Sequence, residues 1–233
     1  MKTIINNLPD SYFESLGLPK PSIINSLTDR IRFIYVYKHI RPGSVLDIGA
    51  YFCDLLLMCR QAGHDISGTE VNAERVNFSN SILGEEVVVQ SFRNGDLSNF
   101  SVDAFDNVSC LEVLEHVPDV ELAVKELCRV SKSSVFITVP FEEKINHVLC
   151  VHCATYTPLS GHLHSFDSSS FEKLIPDGWY IHKQSTLMKR LTKQISNRLP
   201  SKNWLYAIIR IIDYFFPGKG SWLFVELRSS KEK

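Results

Sequence analysis

The order of apolar and polar positions along the chain predicts strands and helices in alternation. Five short apolar runs bounded by turn-forming residues have the length and composition of buried strands. They lie at 45–48, 66–70, 86–92, 108–110 and 134–140. The segments between them carry apolar residues at helical spacing behind capping residues. Together with a preceding helix at 28–40, these lie at 54–62, 72–82 and 119–130. Five strands interspersed with four helices indicate an α/β fold with a doubly wound parallel sheet and helices on both faces.

Three further elements are predicted beyond residue 166. Asp167 is followed by a short helical pattern at 168–175 that Pro176 and Gly178 end. Apolar and aromatic runs at 179–188 and 221–228 then predict a sixth and a seventh strand.

The turn after the first strand is the first candidate binding feature. Asp47 ends that strand, Gly49 and Ala50 form a tight turn, and a helix follows. A strand, a glycine turn and a helix place a nucleotide-like ligand against a helix N-terminus. Glu70 ends the second strand, about 20 residues after the glycine turn. In dinucleotide-binding folds, a carboxylate at this separation in sequence usually binds a ribose hydroxyl.

Length, composition and net charge narrow the class of protein, its partners and its expected location. The chain has 233 residues, of which 44% are hydrophobic and 22% charged, as in an ordinary soluble protein with one domain spanning 1–233. A net charge of -1 gives no reason to expect nucleic acid as a partner. The first residues do not resemble a signal peptide, and six cysteines suggest reduced thiols, so a cytoplasmic location is expected.

Two motifs resemble the class I S-adenosylmethionine-dependent methyltransferases, and the likeness extends over roughly residues 28–188 and the last strand. The first motif of that family runs Asp-x-Gly-x-Gly-x-Gly, and here Tyr51 and Cys53 replace its second and third glycines. The second motif is Phe-Asp-x-Val leading to Leu-Glu-His-Val at 105–117. The resemblance implies a Rossmann-like, seven-stranded mixed sheet whose last strand is antiparallel. It also implies S-adenosyl-L-methionine as the cofactor and a small-molecule or glycan-like acceptor.

The resemblance also assigns roles to residues at the strand ends. Glu70 would bind the ribose, and Asp96 would accept a hydrogen bond from the adenine amino group, although Asn-Gly-Asp is also ordinary turn chemistry. Residues at the end of the fourth strand would lie near the methionine part of the cofactor. The candidate cofactor-binding residues are therefore Asp47, Gly49, Ala50, Glu70, Asp96, Leu97, Cys110 and Leu111.

Two histidines are candidate catalytic bases. His116 follows the fourth strand and titrates near neutral pH, which suits a general base. The competing interpretation is that it braces the next helix. His147 lies in the segment after strand five, where substrate-binding residues belong, and is the second candidate.

The segment 141–166 is a predicted insertion rich in histidine and cysteine. Cys150 and Cys153 form a Cys-x2-Cys pair, and His162 and His164 follow. These are ligand types that tetrahedral zinc uses, so one hypothesis is a zinc site that stiffens a substrate lid. The other is a plain loop with buried cysteines.

A second insertion at 189–220 has a basic first half and an apolar, aromatic second half. The apolar run at 204–216 is too short to span a bilayer. A helix that is apolar all round is expected to be buried. The helix would be buried against the acceptor pocket, against a homodimer partner, or against a membrane surface or lipid-linked substrate. In the last case the basic residues of the first half of the insertion would contact the headgroups. Residues 1–27 are predicted to form an N-terminal lid or arm.

Three functions are therefore compared. The preferred one is transfer of a methyl group from S-adenosylmethionine to a small or glycan-like acceptor. The second is a non-catalytic cofactor-binding or regulatory module. The feature that favours this alternative is the altered turn at Tyr51 and Cys53. The third is a nicotinamide-dependent oxidoreductase, against which the missing glycines and the Leu-Glu-His-Val segment argue.

Overall fold

The computed structural model describes most of the chain beyond its N-terminal segment. The described residues are 27–150, 152, 154–196, 199, 203–215 and 217–232. The predicted N-terminal lid or arm falls almost entirely outside them, as does Cys153.

The described chain contains nine strands in two sheets. They are β1 (Val45–Ile48), β2 (Ile66–Glu70), β3 (Val88–Gln90), β4 (Phe105–Leu111), β5 (Ser131–Pro140), β6 (His147–Leu149), β7 (Tyr156–Pro158), β8 (Trp179–Lys189) and β9 (Gly220–Ser229). The large sheet has seven strands in the order β3-β2-β1-β4-β5-β9-β8. Strands β1 to β5 are parallel, and β9 is antiparallel to both β5 and β8. The predicted mixed sheet with an antiparallel last strand is confirmed.

Six α-helices connect and cover the strands in the described residues. They are α1 (Leu27–Tyr37), α2 (Asp54–Gln61), α3 (Ala73–Leu83), α4 (Val120–Val130), α5 (Arg190–Ser196) and α6 (Asn203–Phe215). The predicted capping residues act as such: the Asn72 side chain accepts from Glu74 N at 2.8 Å, and Asp119 accepts from Leu122 N at 2.9 Å. Each cap satisfies a backbone donor that has no partner within the helix.

The large sheet has a hydrophobic core on each face, because side chains alternate along its strands. On β5, Val135, Ile137 and Val139 join the core beneath α4. Phe136 points the other way, into the core shared with α1, α2 and α6. This two-sided burial explains why β5 is apolar and continuous rather than alternating.

The prediction of a helix at 168–175 is wrong, because the structure has consecutive turns there. Asp167 Oδ1 accepts hydrogen bonds from Ser169 N at 2.9 Å and from the hydroxyls of Ser169 and Ser170. Serine and aspartate side chains that bond to the nearby backbone in this way compete with a helix. Phe171 is buried on Phe166, so the segment still closes one end of the core.

The second insertion also differs from its prediction. Leu205 and Ile209 of α6 are buried, and Ile212 is half-buried. On the outer face, Ile211 is 61% exposed and Phe215 is 76% exposed. The expectation that this helix is buried all round is therefore wrong for the outer face. Among the described helices, none combines the length and apolar character needed to cross a bilayer.

Candidate active site

A cavity of about 790 Å³ opens at the carboxyl ends of β1, β2 and β4. Its size lies within the usual range for small-molecule sites. The sheet order reverses between β1 and β4, and open α/β sheets bind their ligands at such a switch point. The predicted strand-end residues Asp47, Gly49 and Glu70 all line this cavity.

The turn after β1 has the backbone shape of a glycine-rich turn, although it contains a single glycine. Gly49, Tyr51 and Cys53 have φ values of 72°, 47° and 60°. The left-handed region costs a non-glycine residue roughly 1–2 kcal/mol. Ser79 Oγ donates a 2.7 Å hydrogen bond to Tyr51 O and helps to hold the strained turn. At Gly49, a Cβ atom would lie 2.7 Å from Val113 Cγ2, so a larger residue would have to displace that side chain in addition to adopting a strained φ.

Asp47 is a buried carboxylic acid at the base of the cavity. Ser109 Oγ on β4 donates to its Oδ1 at 2.6 Å. Burial raises the pKa of Asp47 to about 7, an effect that the Ser109 hydrogen bond and the Arg32 charge reduce and the Asp54 charge increases. Burial similarly raises the pKa of Asp54 to about 7. Both acids therefore change charge near neutral pH.

Glu70 presents a buried carboxylate at the end of β2. Its Oε1 accepts a hydrogen bond from Val71 N at 2.9 Å and lies 4.0 Å from Arg75 Nη1. The Arg75 guanidinium in turn lies over the Tyr51 ring at 4.9 Å. These contacts fix the direction of the carboxylate at the wall of the cavity, as a hydroxyl-binding acid requires.

The segment after β3 contributes other residues than those predicted. Asp96 does not line the cavity: its carboxylate accepts from Ser98 N at 2.8 Å and from Ser98 Oγ at 3.1 Å. Leu97 is buried, and its N–H donates to Glu126 Oε2. The cavity is instead lined here by residues 91–94. The prediction missed this because Asn94, with φ 56°, reverses the chain before Asp96.

Of the two candidates at the end of β4, only Leu111 lines the cavity. Cys110 is fully buried in the core beneath α4. The alternation of side chains along a strand places neighbours on opposite faces, so only one of the pair can reach the cavity.

The end of the cavity beyond β4 contains a charge cluster that the sequence did not reveal. Trp222 Nε1 on β9 donates to Glu112 Oε2 at 2.7 Å, and Arg32 Nη1 lies 3.4 Å from the same oxygen. Burial raises the pKa of Glu112, against the attraction of Arg32 and Lys193. Helix α1 contributes to this end as well, because Asp29 and Arg32 line the cavity.

Lys193 lies beside this charge cluster, although it does not line the cavity itself. Its ammonium lies 4.2 Å from the centre of the Trp222 ring, and burial lowers the pKa of Lys193. The sequence placed this lysine in a basic segment for which contact with headgroups was one of several possible uses. In the structure Thr192 and Ser196 of α5 are buried, and Lys193, from the same helix, is half-buried against Trp222.

The two candidate bases are separated in the structure. His116 lines the cavity, and its Nδ1 lies 3.1 Å from Gly161 O. Burial lowers the pKa of His116. His147 is exposed on the β6–β7 hairpin, pairs with Pro158 and does not line the cavity.

The predicted zinc ligands are not brought together in the part of the chain that the structure describes. His162 Nδ1 bonds to the Glu143 carboxylate, and His164 Nε2 lies 2.8 Å from Val117 O. Cys150 is a free thiol that shares no ligand cluster with these histidines. The cluster that does form joins His162 to Glu115 and His116, all within 4.8 Å of one another at their ligand atoms.

Solved structures of low sequence identity share the fold. An S-adenosylmethionine-dependent methyltransferase from Archaeoglobus fulgidus is 16% identical with a TM-score of 0.58, covering 94% of this chain and 98% of that one. One from Mesorhizobium loti is 13% identical with a TM-score of 0.62, covering 87% and 99%. Magnesium protoporphyrin IX methyltransferase from Synechocystis, solved with bound S-adenosylmethionine, is 13% identical with a TM-score of 0.52, covering 90% and 80%.

A family model described as a methyltransferase domain matches residues 23–177. The chain belongs to the class I S-adenosylmethionine-dependent methyltransferases. No curated protein sequence matches it. The methyltransferase thus combines the family fold with an atypical turn at Tyr51 and Cys53.

The residues around the cavity fit the methyl donor. Glu70 offers a carboxylate to a ribose diol, and the bare backbone at Gly49 allows close approach of a ligand. Asp47 and Asp54 line the part of the cavity next to the Gly49 turn, which would receive the positively charged methionine end. Acidic side chains around a cationic ligand are the expected complement.

Proposed function

We propose that this enzyme transfers a methyl group from S-adenosylmethionine to a small-molecule or glycan-like acceptor that enters at the Glu112 end of the cavity. The observation that carries the proposal is a single cavity with two chemically different ends. Glu70 and the Gly49 turn form one end, and Arg32, Glu112 and His116 form the other.

At the donor end, the role proposed for each residue follows from where that residue lines the cavity. Glu70 holds the ribose hydroxyls, and the backbone at Gly49 and Ala50 borders the methionine part, with Leu111 as an apolar wall. Residues 91–94 form the adenine wall, with the Phe92 side chain as its buried apolar part. Asp47 faces the positive charge of the donor.

At the acceptor end, the chain's task is to align and desolvate the acceptor. Bound S-adenosylmethionine supplies a methyl group whose bond to sulfur breaks, leaving its electron pair on sulfur, as the acceptor's lone pair forms the new bond to carbon. Glu112 is held in place from two sides, by Trp222 and Arg32, and its carboxylate also interacts with the buried hydroxyl of Thr138. We assign this carboxylate to a polar hydrogen on the acceptor, since it lines the cavity and its direction is fixed.

The outer face of α6 favours an acceptor with an apolar part, such as a lipid-linked sugar. Ile208, Ile211 and Phe215 form an exposed apolar stripe at helical spacing, with Tyr214 beside it. Exposed apolar patches mark contact sites for proteins or membranes. Peripheral contact with lipid would bring a lipid-linked acceptor to the enzyme, and a homodimer is the competing use of the same face.

The test of the proposed function is transfer of label from methyl-labelled S-adenosylmethionine to cell fractions. We expect label to appear in the small-molecule or lipid-extractable fraction and to be reduced in Glu70→Ala at subsaturating donor. Glu172→Ala, an exposed change away from the cavity, is the matched control and retains transfer. Label found only in protein or nucleic acid would contradict the proposed acceptor class.

A further inference from the structure

Three side chains with metal-binding atoms meet where His116 lines the cavity. They are Glu115 and His116, in the 3-10 helix Leu114–His116, and His162, which comes from the loop after β7. Their ligand atoms lie within 4.8 Å of one another, and the two imidazole rings have centroids 4.7 Å apart. Residues distant in sequence thus converge on one point, where a backbone hydrogen bond from Leu163 N to Glu115 O holds the loop alongside the 3-10 helix.

Both histidines are oriented as metal ligands usually are. His116 Nδ1 lies 3.1 Å from the carbonyl oxygen of Gly161, and His162 Nδ1 bonds to the Glu143 carboxylate. Metal-binding histidines commonly donate one ring N–H to a carbonyl or carboxylate, which leaves the other nitrogen for the metal. In each ring here, that other nitrogen is Nε2.

Glu115 supplies an independent observation. The residue is 1% exposed, and its Oε2 has no hydrogen-bond partner among the described residues. A buried oxygen without a partner is costly in a folded protein. Its membership of the same cluster as the two histidines gives that oxygen a partner once a cation binds.

We infer that Glu115, His116 and His162 bind a divalent transition-metal ion, with zinc as the best match, at the acceptor end of the cavity. Two histidines and one glutamate are a ligand set of catalytic zinc sites, which leave a position open for water or substrate. Glu143 would orient His162 from outside the ligand set. The proposal replaces the cysteine-based zinc site that the sequence suggested.

The position of this site gives it a role that rests on the proposed function. His116 lines the same cavity as Glu112, so an ion bound there would face the acceptor. An acceptor hydroxyl at the open position would lose its proton more easily, since the cation stabilises the oxygen anion. His116 would then act as a ligand, and the proton would pass to solvent water.

The site is tested on tag-free full-length protein with Zn²⁺ alone, by equilibrium dialysis with elemental analysis. We expect one Zn²⁺ per chain, and at least about tenfold weaker binding in Glu115→Gln and in His162→Ala. His162 is less buried than Glu115, so its variant tests the site even where E115Q fails to fold. Cys150→Ser and His164→Ala are the matched controls and should bind Zn²⁺ like the unchanged protein.

Co²⁺ distinguishes this site from a cysteine site by its absorption spectrum. A nitrogen and oxygen ligand set gives weak visible bands without the intense near-ultraviolet band of a cobalt–thiolate bond. A thiolate band that Cys150→Ser removes, or less than stoichiometric Zn²⁺ on the unchanged protein, would overturn the proposal. Glu70→Ala should keep the metal but bind the methyl donor more weakly, so failure of the metal site and failure of the proposed function are read separately.

Discussion

Ser109 Oγ donates a 2.6 Å hydrogen bond to Asp47 Oδ1, joining β4 to β1 at the point where the strand order reverses. The two residues are direct partners in the parallel pairing of β1 with β4, so their side chains share one face of the sheet. The bond holds a buried acid at the base of the cavity. Two predictions follow from the charge of that acid.

The first prediction concerns the stability of the protein without ligand. Burial raises the pKa of Asp47 from 3.8 to about 7, so between these values the folded chain binds a proton that the unfolded chain has released. The free energy of unfolding therefore falls as pH rises through this window. Asp47→Asn has no such proton and should be more stable than the unchanged protein by up to roughly 4 kcal/mol at pH 8.

This difference should shrink to below about 1 kcal/mol near pH 4, where Asp47 is protonated in the folded chain and, with its ordinary pKa of 3.8, partly protonated in the unfolded chain. Urea unfolding of both proteins at pH 4 and pH 8 measures it. Other buried acids such as Asp54 titrate in both proteins and largely cancel in the comparison. A stability difference that stays the same at the two pH values would contradict the assignment.

The second prediction concerns donor affinity. The charges that face Asp47 from the neighbouring helices are Arg32 on α1 and Asp54 on α2. The ionised form of Asp47 attracts the positive methionine end of the donor, so binding should strengthen as pH rises through 7. Between pH 6 and pH 8 we expect about a tenfold fall in Kd. Calorimetry should find this dependence flattened in Asp47→Asn, and an equal slope in both proteins would exclude Asp47 as its source.

The third prediction concerns the atypical turn. Tyr51 has φ 47°, a conformation that asparagine tolerates and that β-branched residues strongly avoid. Tyr51→Asn should therefore be more stable than Tyr51→Val by about 1–2 kcal/mol. The two variants lose the same contact with Arg75, so their difference isolates the backbone. Equal unfolding midpoints would show that the turn is not strained at this position.

The fourth prediction concerns the exposed face of α6. Ile211→Glu combined with Phe215→Glu should abolish sedimentation with lipid vesicles, because both side chains are exposed and apolar. The unfolding midpoint should change little. Leu122→Glu places a charge on an exposed apolar site of α4 and is the matched control. If the double variant instead converts a dimer into a monomer, the face is a subunit interface.

Much of the fold could be predicted because its signals are local. The strand at 45–48 and the caps Asn72 and Asp119 are each specified by a few neighbouring residues, and the structure places them as predicted. The helix predicted at 168–175 failed for the opposite reason: its serine side chains bond to Asp167 instead of leaving the backbone to form a helix.

The candidate site was predictable only at its donor end. Glu70 and Asp47 lie at strand ends, so the order of the sheet alone brings them together. Arg32, Lys193 and Trp222 come from three elements far apart in sequence, and no local pattern marks them. Their meeting with Glu112 depends on how α1, α5 and β9 pack, which is a tertiary property. The joining of His162 to Glu115 and His116 is of the same kind.

The central claim is that this cavity binds the methyl donor through Glu70, and calorimetry with S-adenosylmethionine and its demethylated product tests it most directly. The account predicts one site per chain, with binding weakened by about 1–3 kcal/mol in Glu70→Ala because a charged hydrogen bond is lost. Glu74→Ala, an exposed change one turn away in α3, should bind like the unchanged protein. Absence of binding to the unchanged protein at millimolar ligand, or equal affinities in all three proteins, would contradict the account.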